Sequence, residues 1–188
     1  MPPAAQSDKS QWLRICTNIA VALERDREAW FANCLRMLAE LKRNAAFSIE
    51  SEAKSTLGGE ADVALRAYQL IQAMRLMSIR KYVPPSEGQD FADLLFAQVC
   101  GTELSEVLEV AERYRNRQKE EATLFGLDVA GYILGGKYPA ALLLSLEIMP
   151  LTQQLTAHTA MIVAAAFGDD DTVRDLDAQL FRMRERPR

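Results

Sequence analysis

The chain has 188 residues, 49% of them hydrophobic, which is enough to bury a substantial core without a metal or a disulfide. Its formal net charge of -4 gives no overall attraction to phosphate backbones, which argues against a nucleic-acid partner. Three cysteines among apolar neighbours, and no basic-then-apolar segment in the first ten residues, are typical of a cytoplasmic protein in a reducing compartment.

Glycine and proline are few and are concentrated in short segments, and the long stretches between them are rich in Ala, Leu, Glu and Arg. Because these are strong helix formers, we predict an all-α fold of about seven to nine helices. Residues 1–83 are expected to form long helices that pack on the rest, and residues 89–188 to form antiparallel helical hairpins. Together they are expected to fold as one cooperative domain.

The first predicted element covers residues 8–46, where apolar residues recur every three or four positions along one stripe. The stripe breaks at residues 24–28, Glu-Arg-Asp-Arg-Glu. Such a break fits either a tight turn between two helices or the solvated middle of one long helix, and both alternatives stay open. Large aromatic residues on the stripe, Trp12, Trp30 and Phe31, would suit a homodimer interface, which is kept as an alternative.

The next helix is predicted from about Glu60 to Tyr82, and the prolines at positions 84 and 85 end it because they cannot continue the backbone hydrogen bonds. Beyond this boundary the pattern predicts helices over residues 90–100, 102–118, 120–134, 139–149, 151–167 and 170–184. The segment 148–168 has no Asp, Glu, Lys or Arg, but its Pro, Gln, His and Thr residues are costly in hydrocarbon. We therefore expect a buried core helix there and no membrane span.

A turn sequence at residues 136–139, Gly-Lys-Tyr-Pro, precedes Ala141, and equivalent small or apolar positions recur upstream at Val107 and downstream at Val173. This spacing is close to the ~34-residue period of tetratricopeptide repeats. With Phe125 and Tyr132 at the aromatic positions of the family, residues 91–184 resemble such repeats. An irregular helical bundle is the alternative, because antiparallel helices of similar length also recur regularly.

The resemblance implies that the first helix of each hairpin lines a concave groove for a partner peptide or helix. Carried over to this chain, the groove positions are mostly apolar: Phe96, Val99, Ala130, Ile133, Leu155, His158 and Ile162. The resemblance extends to small helical chaperones, including those of bacterial type III secretion, and so implies a non-enzymatic adaptor or chaperone with a protein or peptide partner. If the first-half helices cover the same residues, the groove is instead core, and this question stays open.

No residue pattern identifies a reaction, so we predict no catalytic residue, no cofactor and no metal site. His158 is the single histidine, which rules out a histidine-pair metal site within the chain. The alternative function is an enzyme or small-ligand binder with a core pocket, in which Cys100, Tyr132 and His158 would be the polar or reactive groups. The basic run at residues 113–119 has acidic neighbours and is interpreted as a solvated helix face.

Overall fold

The computed structural model describes residues 9–43, 54–136 and 140–184. Within these ranges the chain forms α-helices, one short 3-10 turn and no strand, so the all-α prediction is confirmed. The helices are α1 (Lys9–Arg43), α2 (Gly59–Arg80), α3 (Gly88–Cys100), α4 (Leu104–Asn116), α5 (Glu121–Ile133), α6 (Ala140–Glu147), α7 (Met149–Ala166) and α8 (Asp170–Arg184). The 3-10 turn is Gly101–Glu103, between α3 and α4. None of these helices is long and apolar enough to cross a membrane.

Helix α1 runs for 35 residues without a break, so residues 9–43 of the predicted 8–46 segment form one helix and not two; residues 8 and 44–46 lie outside the described residues. The charged segment at residues 24–28 is the middle of one helix and not a turn. It is also not fully solvated, because Arg27 is only 3% exposed and lies against α2. A helix without Gly or Pro passes through such a segment when its charges find partners on the neighbouring helix.

Helix α2 lies at the centre of the fold and contacts α1, α3, α4, α5 and α7. Its side chains are buried along most of its length, and the ring of Tyr68 stacks on Phe125 of α5 with 4.3 Å between centroids. Trp30 of α1 packs on the other side of the same cluster, 5.3 Å from Phe125. Residues from both halves of the chain therefore share one hydrophobic core.

Helix α2 ends at Arg80 because Lys81 adopts a left-handed conformation with φ 55°, and its N–H bonds to the carbonyl of Met77. The prolines at 84 and 85 follow immediately, so the helix cannot resume until Gly88. The stop lies two residues before the end that the sequence predicted. The other predicted helices agree with the observed ones to within about two residues, the usual uncertainty of helix ends.

The later helices pack in two ways. α5 packs on α6 and α7 on α8, so these consecutive helices form hairpins, whereas α3 packs mainly on α1 and α4 mainly on α2. Helices α1 and α2, from the first half of the chain, thus pack against several of the later helices: α1 on α3 and α7, and α2 on α4, α5 and α7. The tetratricopeptide resemblance stays a prediction, and most of the turn on which it depends, residues 137–139, lies outside the described residues.

Candidate functional site

The structure places four of the predicted groove residues in the core. Val99 is 3% exposed, and Ala130, Ile133 and Leu155 are completely buried. Helix α1 lies on α3 and α7, and helix α2 lies on α5 and α7, so the first-half helices cover these positions. The question whether the groove is open or covered is therefore answered for these four residues: they do not line an open surface.

The three remaining groove residues are partly accessible but lie in different places. Phe96, on α3, is half-buried and lines an open cleft against α2 and α4. His158 and Ile162, on α7, do not line that cleft. The His158 ring is held by Asp26 of α1, with 3.0 Å between Nδ1 and Oδ1.

The aromatic residues suggested for a homodimer interface are used inside the chain. Trp30 and Phe31 are 4% and 3% exposed, and the indole N–H of Trp30 donates to the Leu151 carbonyl at 2.8 Å. Trp12 is half-buried and donates to Glu87 at 2.6 Å. A homodimer built on Trp30 and Phe31 is therefore incompatible with this packing, because both rings stabilise the monomer.

An open cleft of about 840 Å³ lies between α2, α3 and α4, and we call it the α2–α3–α4 cleft. Its floor is α2, and its walls are α3 and α4. Most of its apolar lining comes from Leu70, Ile71, Met74, Phe96, Leu108 and Ala111. Leu108 is 41% exposed, whereas Leu70 and Ile71, on α2, are only 1% and 7% exposed.

Helices α3 and α4 run in opposite directions beside α2, as the contacts of Arg66 and Arg75 indicate. Arg66, in the first half of α2, donates to the Val99 carbonyl at the end of α3 at 2.7 Å, so α3 runs antiparallel to α2. Arg66 also lies 3.8 Å from Glu103, just before α4, and Arg75 bonds to Glu121, just after it, so α4 runs parallel to α2. Helices α3 and α4 meet at the 3-10 turn but make few other contacts with each other, and the cleft is the space between them.

The turn itself requires glycine. Gly101 has φ 56°, in the left-handed region that favours glycine, although a side chain there would meet nothing within 4 Å. Glycine is therefore favoured at this position by the backbone conformation, and not by a lack of space for a side chain. This residue ends α3 and lets the chain turn directly into the 3-10 turn and α4.

Each of the three helices presents residues at helical spacing to the cleft: positions 70, 74 and 78 of α2, positions 89, 92 and 96 of α3, and positions 108, 111 and 115 of α4. Ala92 and Ala111 lie on opposite walls, and their small side chains leave the space between the walls free. The three helices therefore form the sides of one open cleft.

The charged groups of the cleft are positioned at its polar rim. Arg75 bonds to the carboxylate of Glu121 at 2.5 Å, and Glu121 is 4% exposed and also accepts from Gln72. The buried carboxylate therefore fixes the arginine at the rim. Arg115 and Glu112, on the α4 wall, are exposed and have no bonding partner among the described residues. The charged lining is thus two arginines and one glutamate, in a chain with a net charge of -4.

A second polar feature lies inside the fold, where α1, α2 and α7 meet. Arg27 contacts Asp62 at 3.3 Å and donates to the Gln69 side-chain oxygen at 3.3 Å. The Gln69 amide donates in turn to Asp26, which holds His158. Burial lowers the pKa of Arg27, and the charge of Asp62 opposes this effect. The network gives every one of these groups a partner, as buried charges require.

The residues named for an enzymatic pocket are not gathered into one site. Burial raises the pKa of the Cys100 thiol to about 11, so this thiol is protonated at neutral pH and is a poor nucleophile. Tyr132 donates to the Thr56 carbonyl at 3.3 Å, and His158 bonds to Asp26. The three side chains have different neighbours, and the described residues hold no cluster of three or more His, Cys, Asp or Glu placed for a metal ion.

Comparisons with protein-family models, with curated proteins and with solved structures find no match to this chain. The function is therefore argued from the geometry of the cleft.

Proposed function

We propose that this protein is a non-enzymatic adaptor or chaperone that holds a segment of a partner protein in the α2–α3–α4 cleft. The observation that carries the proposal is an open cleft between three helices, in which Met74, Phe96, Leu108 and Ala111 keep apolar surface exposed. The proposed binding surface is thus formed mostly by residues other than those predicted for the groove. Of the residues predicted for that groove, Phe96 belongs to the cleft.

The energetic argument rests on the side chains that water still contacts. Covering a large apolar side chain such as Leu108 or Met74 contributes about 1–2 kcal/mol of favourable free energy. Several such side chains lie within one cleft, so their contributions act on a single partner segment, and the surplus must exceed the entropy that association costs. A polar rim around an apolar centre is the usual anatomy of a protein interface.

A small amphipathic molecule is a second candidate, because a volume of about 840 Å³ lies within the usual range for small-molecule sites. A segment of a partner protein and a small molecule can be told apart by the mass of the bound species. The cytoplasmic location and the secretion-related role expected from the sequence remain predictions. The three buried free cysteines are compatible with a reducing compartment.

Site-specific photo-crosslinking in an extract of the native cells tests the proposal. A photoreactive residue replaces Leu108 in the cleft, and the matched control replaces Leu143 of α6, which is 48% exposed but lies outside the cleft. We expect a discrete polypeptide adduct from position 108 and none from position 143. The adduct should disappear when Ala111→Trp fills the cleft.

Three outcomes would count against this function. Equal crosslinking from positions 108 and 143 would mean that no protein binds specifically in the cleft. Labelling that persists in a folded Ala111→Trp variant would place the contact outside the cleft. An adduct of small-molecule mass would support the second candidate instead.

A further inference from the structure

We draw no further inference here: the strongest candidate, the apolar face of α6 on which Leu143 and Leu146 are 48% and 56% exposed, carries no proposal because nothing in the part of the chain that the structure describes shows what covers it.

Discussion

The two sides of α2 differ in how completely they are packed. Towards α1 and α7, its polar residues Asp62 and Gln69 bond to Arg27 and Asp26, and the apolar residues around them are buried. Towards α3 and α4, the partly exposed Met74 and the exposed Ser78 line an open cleft. The same helix therefore has a closed side, where each polar group has its partner within the chain, and an open side. The open side is the part of α2 on which the proposed function depends.

The largest expected effect comes from breaking the closed side. Arg27→Ala removes a buried side chain, the donor to the Gln69 side-chain oxygen, and one of the two arginines that pair with Asp62, which keeps Arg66 at 2.6 Å. We expect the free energy of unfolding to fall by about 3 kcal/mol, because the buried side chain leaves a cavity and the Gln69 oxygen loses its donor; urea denaturation measures the loss. Arg25→Ala, two residues earlier and exposed, should change it by less than about 0.5 kcal/mol. Similar effects of the two variants would mean that the network does not stabilise the fold.

A pair of alanine substitutions tests the difference in packing directly. Ala73 of α2 is completely buried, whereas Ala111 lines the cleft. Ala73→Trp should destabilise the protein by about 1–3 kcal/mol or more, because the closed core has no room for the ring. Ala111→Trp should change stability by less than about 1 kcal/mol, because its ring enters open space. Thermal and urea unfolding measure both, and equal losses would contradict the picture of an unfilled cleft.

The sequence predicted the helices well but not the site, for a physical reason. Gly, Pro and the apolar period act locally, so they determined where α2 to α8 begin and end. Whether Val99 or Leu155 faces a groove or a neighbouring helix depends on packing between distant segments, which periodicity does not contain. One indication was available: α4 carries Leu104, Val107, Leu108 and Ala111, an apolar face wider than one packing partner covers.

The charged break in α1 shows the same limit. Glu-Arg-Asp-Arg-Glu at residues 24–28 suggests a turn or a wetted surface, because charged residues are seldom fully buried. Its partners, Asp62 and Gln69, lie on α2 and are distant in sequence. The same is true of His158, whose bonding partner Asp26 is on α1. A polar network of this kind becomes visible only when the helices are placed side by side.

A smaller effect is expected at Asp169, the residue that precedes α8. The Tyr82 hydroxyl donates to Asp169 at 2.6 Å, and Thr172 donates through its backbone N–H and its hydroxyl, so the pKa of Asp169 falls to about 2. Because the folded pKa lies below the unfolded value, this carboxylate stabilises the fold above about pH 4, and the stabilisation is lost as the pH falls towards 2. Asp169→Asn should therefore lower the melting temperature at about pH 5 but not at about pH 2. A difference between the two proteins that is constant over this range would contradict the assignment.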